Sequence, residues 1–355
     1  MSPTELIAGW LNLAPLAAGP IIRLDARTNI LLGSVLGVLM AASIIGWLLR
    51  RQPESTANPA VVRTFNLRVR AWWMMCAILI AGFLLGYVAT VILFGFISFW
   101  ALREFITMTP TRRGDHRSLF ATFFLFTPLQ YFLVAMGEKY YGFYTVMIPV
   151  YASLFIPAQI AISGDPKRFL ERVAKIQAGL LICVYSLSHA PALLAPDLEL
   201  TTGVAGQRWI IGATDPPTYG SKAGLLFFFV LMVQLNDVFQ YMWTQLLGKR
   251  VIAPQINASR TWEGLIGGVL STTLAGLLFS WATPFSYWAG PIAGLVALAG
   301  FAGSMTMSGI KRDRGVKDYG TLVSGHAGVL DRIDSLCFAA PVFFHITRQF
   351  FSTAG

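Results

Sequence analysis

Residues 71–100 read AWWMMCAILIAGFLLGYVATVILFGFISFW, thirty residues without a charge. A helix needs about 20 apolar residues to cross a hydrocarbon core roughly 30 Å thick. The run is too long for one crossing, and we read it as two short helices that turn near Gly86 and Tyr87. Further apolar runs lie around 29–49, 118–136, 141–162, 174–196, 222–246, 263–282, 287–309 and 335–351, which gives ten spans in all. The expected fold class is therefore all-α, a polytopic membrane protein with about ten transmembrane helices.

Composition agrees with that count. Of the 355 residues 55% are hydrophobic and 12% charged, whereas soluble domains carry about 25% charged residues. Lys and Arg collect in cytoplasmic loops, and here loops 50–70, 103–117, 167–175, 249–260 and 311–332 hold 21 of the 27 basic residues. These alternate loops are expected on the cytoplasmic side, with both termini on the other. The net charge of +10 is spread over loops that meet anionic lipid heads, so it needs no nucleic-acid partner.

The rest of the chain is less informative. Cys76, Cys183 and Cys337 sit inside apolar runs, too scattered for a metal cluster, and are expected to pack as small apolar residues. The stretch 5–19, broken by Pro15 and without a basic leader, resembles neither a signal peptide nor a span; an interfacial helix is expected. Residues 197–220, rich in Gly, Pro and Thr, are expected to cover the outer mouth of the bundle. There is no tandem repeat, low-complexity tract or soluble domain. The chain is read as one integral membrane unit, with N-terminal transmembrane helices over 1–220 and a C-terminal catalytic region over 221–355.

Two loops mix acids with bases. The first follows a span in which Asn236, Asp237, Gln240 and Tyr241 are placed to share one helix face. A carboxylate at that depth is costly and usually serves a polar cavity. After it come Gly248, Lys249 and Arg250, and then Ser259, Arg260, Thr261, Trp262 and Glu263. Thr261 or Ser259 is positioned to cap the next helix, with Glu263 in its first turn. The basic residues would converge on that helix start, where phosphates bind readily.

The second loop is denser. Residues 308–334, SGIKRDRGVKDYGTLVSGHAGVLDRID, hold five basic and four acidic residues. Lys311, Arg312, Arg314 and Lys317 supply positive charge for phosphates. Asp318, Asp331 and Asp334 supply the hard oxygen ligands that Mg²⁺ selects, with Asp237 a fourth candidate. Asp331 and Asp334 fall on one face of the last helix at i, i+3. Such interleaving suits a metal-bound polyphosphate. His326 is placed to hydrogen-bond a phosphate or to shape the Gly-rich turn.

The stretches Ser308-Gly309-Ile310-Lys311-Arg312, Lys317-Asp318-Tyr319-Gly320 and His326-Ala327-Gly328-Val329-Leu330-Asp331-Arg332-Ile333-Asp334 resemble the signature of phosphatidate cytidylyltransferases. Asp237 with Tyr241, Gly248-Lys249 and Thr261-Trp262-Glu263-Gly264 resemble that family's upstream segments, so the likeness covers about 225–335. It implies an enzyme of the membrane that joins CTP to phosphatidic acid, giving CDP-diacylglycerol and pyrophosphate, with Mg²⁺ as cofactor. It implies a catalytic group of Lys311, Arg312, Lys317 and His326, substrate contacts from Lys249, Ser259, Arg260, Thr261 and Ser308, and a metal set of Asp237, Asp318, Asp331 and Asp334. Its expected setting is a bacterial inner membrane with the active site facing the cytoplasm, and a homodimer is compatible with it. The chain departs from the family pattern at Ser324, at Ala327 and at Asn257-Ala258-Ser259-Arg260, where Arg260 replaces a usual Lys. Two alternatives stand beside this reading. One is a cytidylyltransferase for another lipid phosphate. The other is a secondary transporter with Asp237 at an intramembrane ion site.

Overall fold

The computed structural model describes Leu24 and residues 26–51, 59–108, 111–200, 222–316 and 328–352. The expected interfacial helix at 5–19 and most of the 197–220 loop lie outside the described residues. The long apolar run is two helices, as its length requires. Among the described residues they belong to a series of ten helices: α1 Ala26–Arg51, α2 Pro59–Leu85, α3 Tyr87–Thr107, α4 Arg113–Ala135, α5 Glu138–Ile162, α6 Phe169–Ala192, α7 Lys222–Leu247, α8 Trp262–Leu278, α9 Ala289–Asp313 and α10 Leu330–Phe351.

Gly86 separates α2 from α3 with φ of 92°, a left-handed conformation that favours glycine. The chain doubles back there, since a Cβ at Gly82 would lie 3.0 Å from Thr90 Oγ1, whereas a continuous helix would carry those residues about 12 Å apart. Among the described residues eight helical segments are long and apolar enough to cross a membrane, the last of them Ser286–Asp313. The two remaining members of the series differ: α8 is apolar but only 17 residues long, and α10 opens on Asp331, Arg332 and Asp334. A polytopic membrane protein of the all-α class is what these elements make.

The first half of α7 is apolar on every side, and Ala223 to Val233 are buried without interruption. A helix of that kind belongs inside a bundle, and α7 packs against α1, α8, α9 and α10. Phe229 stacks on Phe343 of α10 at 5.0 Å between ring centres, and Phe285 meets the same ring edge-on at 5.7 Å. Cys76, Cys183 and Cys337 are all buried and free of disulfides.

Polar ties gather the loops into two opposite ends of the bundle. At one end Arg112 of the α3–α4 connection reaches Asp165 at 3.0 Å, Arg172 of α6 donates to Asp115 at 2.7 Å, and Arg314 after α9 approaches Glu171 at 3.6 Å. The Arg112 hydrogen bond holds the Asp165 carboxyl below the usual carboxylate range, aided by the Lys167 N–H. At the other end Lys222 donates to Ala195 O, Arg348 pairs with Glu138, and Arg27 donates to Trp281 O. This first end thus brings together described parts of three of the basic loops, 103–117, 167–175 and the start of 311–332.

Candidate functional site at the ends of α7, α9 and α10

The connection between α7 and α8, expected as a loop, is an antiparallel hairpin of β1 Val251–Ala253 and β2 Asn257–Thr261. Pro254 and Gln255 are exposed at its turn, which the Ile256 N–H closes onto Ala253 O. Pairing of Val251 with Thr261 sets the register, leaving Ala258 and Ser259 exposed and turning Arg260 and Thr261 inward. Thr261 then caps α8: its Oγ1 accepts the Gly264 N–H at 3.1 Å and lies 3.1 Å from Thr244 Oγ1. Of the two expected caps, Thr261 is the one used. Glu263 follows in the first turn and accepts the Lys249 and Arg250 N–H groups, tying the end of α7 to the start of α8.

Arg260 bridges three elements. One guanidinium nitrogen donates to Gln240 Oε1 of α7 at 2.6 Å, and another to Asp237 Oδ1 at 3.1 Å and to Ser304 Oγ of α9 at 2.8 Å. A planar fork reaches two helices at once, which an ammonium on a single stem does less well. That gives the departure from Lys a physical reason. Asn236 and Gln240 are buried against the bundle, Asn236 donating to Ala297 O. Tyr241, four residues after Asp237 and so on the same side of α7 as that acid, is exposed.

On α10 the two acids meet different partners. Asp331 Oδ1 accepts the Lys311 ammonium at 2.9 Å, with both side chains largely buried. The Ser335 hydroxyl lies 3.1 Å from Asp237 Oδ2 and 3.2 Å from Asp334 Oδ1, so carboxylates from two helices converge on one oxygen. The close contact of α9 and α10 behind them rests on Gly303, where a Cβ would lie 2.7 Å from Asp334 O. Two carboxylates converging in this way supply the donors that a hard divalent cation takes. Among the described residues no three such groups are gathered closely enough to hold an ion as they stand; Asp331 is engaged by Lys311.

The other expected site residues are placed as follows. Ser308 accepts from Asn257 Nδ2 at 3.1 Å, and Arg312, exposed, donates to Ile256 O at 3.1 Å, so both anchor the hairpin to α9. Lys249 and Ser259 are exposed, and the Ser259 hydroxyl donates to Asn257 Oδ1 at 2.7 Å. Lys317, Asp318 and His326 lie outside the described residues. Ser304, Ser335 and Glu104 are additional members that sequence reasoning missed. Ser304 and Ser335 carry no signal beyond being small residues in helices. Glu104 accepts the Val329 and Leu330 N–H groups at 3.0 and 2.9 Å. A shallow apolar crevice, open on one side, lies between α1, α2 and α7, lined by Val35, Trp72, Leu79, Phe227 and Gln234 among others. Gln234 is one turn before Asp237 on α7.

Together the fold and these residues define a polytopic membrane protein with acids and bases brought together at the ends of three helices. The chain belongs to the cytidylyltransferase family, whose sequence model matches residues 66–350. It is 34% identical over 323 residues to the uncharacterized protein YnbB of Escherichia coli, covering 89% of this chain and 97% of that protein. It is 37% identical over 122 residues to a phosphatidate cytidylyltransferase of Aquifex aeolicus, covering 34% of this chain and 46% of that protein. It is 30% identical over 227 residues to a chloroplastic phosphatidate cytidylyltransferase of Arabidopsis thaliana, covering 61% of this chain and 56% of that protein. The chain thus spans about half the length of the two phosphatidate cytidylyltransferases. These matches do not favour the transporter alternative.

Proposed function

We propose that this protein transfers a cytidylyl group from CTP to phosphatidic acid, releasing pyrophosphate and leaving CDP-diacylglycerol in the membrane. The observation that carries the reading is the convergence of Asp237 and Asp334 on the Ser335 hydroxyl, flanked by Arg260 and Lys311. Family membership supports it. A phosphate oxygen of the lipid attacks the α-phosphorus of CTP, a new P–O bond forms, and the bond to the β-phosphate breaks with its electrons going to pyrophosphate. The attacking group is already an anion, so no protein nucleophile is needed. Positioning and charge neutralisation carry the rate.

In this reading Lys311 and Arg312 bind nucleotide phosphates, joined by Lys317. Asp237, Asp331 and Asp334, with Asp318, would hold Mg²⁺. Mg²⁺ held there would supply positive charge to offset that of the phosphates. A metal-bound polyphosphate carries both signs of charge, so it can replace both partners of the Lys311–Asp331 pair at once. Arg260 stays with Asp237 and Gln240 and orients the carboxylate. The active site faces the cytoplasm, where CTP is available.

The test is incubation of the purified full chain with radiolabelled CTP, Mg²⁺ and a panel of phosphorylated lipids. Labelled CDP-diacylglycerol and stoichiometric pyrophosphate from phosphatidic acid are expected. Product from an isoprenoid phosphate but not from phosphatidic acid would reassign the lipid, and no product from any lipid would overturn the reading.

A further inference from the structure

Among the described residues the last helix, α10, has no side-chain cap from its own N-terminal segment. Its N-cap residue is Val329, whose side chain makes no capping hydrogen bond, and a valine has no oxygen to offer the free N–H groups of a first turn. The acceptor comes instead from α3. Glu104, only 8% exposed, takes the Val329 N–H on Oε1 at 3.0 Å and the Leu330 N–H on Oε2 at 2.9 Å, across 225 and 226 residues of sequence. Trp100, one turn earlier on α3, donates its indole N–H to Glu104 Oε1 at 3.2 Å and steadies the carboxylate.

This placement runs against local preference. Glu104 lies in the last turn of α3, where the helix dipole disfavours a negative charge, and at the start of α10, where the dipole favours one. The interaction across the bundle outweighs the one within α3. Immediately beyond the capped amides come Asp331, paired with Lys311, and Asp334, which meets Asp237 at the Ser335 hydroxyl.

We infer that Glu104 is a positioning residue of the active site: by clamping the first two amides of α10 it fixes where that helix begins and so presents Asp331 and Asp334 to the substrates. The inference rests on the cytidylyltransferase reading for its catalytic consequence, while the clamp itself can be measured separately. Glu104→Gln keeps the size of the side chain but loses its charge and turns an NH₂ group toward one of the two amides. Glu104→Asp keeps the charge and is one methylene short.

The experiment compares the full-length parent with both variants by amide hydrogen exchange and by the Mg²⁺ dependence of CTP turnover. In Glu104→Gln, exchange over Val329–Asp331 should rise on the order of tenfold, the loss expected for a hydrogen bond to a charged acceptor, with α7 and α8 at parental rates. The Mg²⁺ concentration for half-maximal turnover should rise by a similar factor while the KM for phosphatidic acid stays within about twofold. Glu104→Asp should fall between parent and Gln on both readouts, and it decides the matter if the Gln variant does not fold. Parental exchange over Val329–Asp331 in the variants would overturn the inference, as would uniform acceleration in every helix with an unchanged Mg²⁺ requirement. If the parent makes no CDP-lipid, the cytidylyltransferase reading fails, and the exchange data still decide whether Glu104 holds α10.

Discussion

Lys311, in the last turn of α9, faces Asp331, in the first turn of α10, with 2.9 Å between ammonium and carboxylate and side-chain exposures of 13% and 10%. A pair so enclosed can be a structural tie or two halves of a substrate site. The two roles respond differently to mutation.

If the pair were only a tie, removing either partner would leave a largely buried charge, at a cost of up to about 3–5 kcal/mol. Removing both would recover part of that stability. We expect this recovery in thermal melts of Lys311→Ala, Asp331→Asn and the double variant. Activity should not recover, because the reading sends Lys311 to phosphate and Asp331 to the metal during turnover. CTP turnover in the double variant should be no better than in the worse single variant. Recovery of turnover together with stability would reduce the pair to a tie.

Arg260 gives the second prediction. Its fork contacts Asp237, Gln240 and Ser304, and Arg260→Lys restores the family residue but not the bridge. One buried acceptor then goes without its donor, at about 1–3 kcal/mol. We expect Lys to be destabilising by that amount and Ala to be worse, since Ala also strands Asp237. Equal melting temperatures for parent and Arg260→Lys would show that the fork is not what this position needs.

The helical plan and the principal charged positions were legible in the sequence for one physical reason. Burial in lipid forces apolar runs of helical length, so Asp237, Arg260, Lys311, Asp331 and Asp334 stand out as exceptions. What stayed hidden depends on chain folding over long separations. Glu104 sits beside Arg103 at the edge of a basic loop and reads as part of a solvated face, yet its partners are Val329 and Leu330. Ser304 lies in the small-residue run AGSMTMSG, where a serine looks like packing. The hairpin at 251–261 is three residues paired with five, too short for an alternation pattern to declare itself.

Orientation in the membrane can be tested because the three cysteines at 76, 183 and 337 are buried. Ser259 is exposed on the hairpin and Tyr287 is 58% exposed between α8 and α9, at the opposite end of the bundle. With the site facing the cytoplasm, an impermeant maleimide applied to intact cells should label Tyr287→Cys and spare Ser259→Cys until the membrane is opened. The reverse pattern would place the hairpin and the start of α10 outside, away from CTP.

The last prediction concerns backbone rather than charge. A methyl group at Gly303 would lie 2.7 Å from the carbonyl oxygen of Asp334 and 2.9 Å from Phe338 Cβ. The carbonyl belongs to the first turns of α10 and cannot rotate aside as a flexible side chain would. Gly303→Ala must therefore push α10 away from α9, and overpacking of this kind costs about 1–3 kcal/mol. The displacement falls on the turn that carries Asp334, on the helix that also carries Asp331. We expect turnover to drop at least tenfold, the order of loss associated with small misplacements of reacting groups. Gly309→Ala is the matched control on the same helix, since its new Cβ would meet nothing nearer than Ile256 Cγ2 at 3.9 Å. It should keep parental turnover and melting temperature, because the added methyl makes an ordinary contact. Full activity in Gly303→Ala would mean that the spacing of α9 and α10 at Asp334 does not govern the chemistry, and the metal role of Asp334 would fall with it.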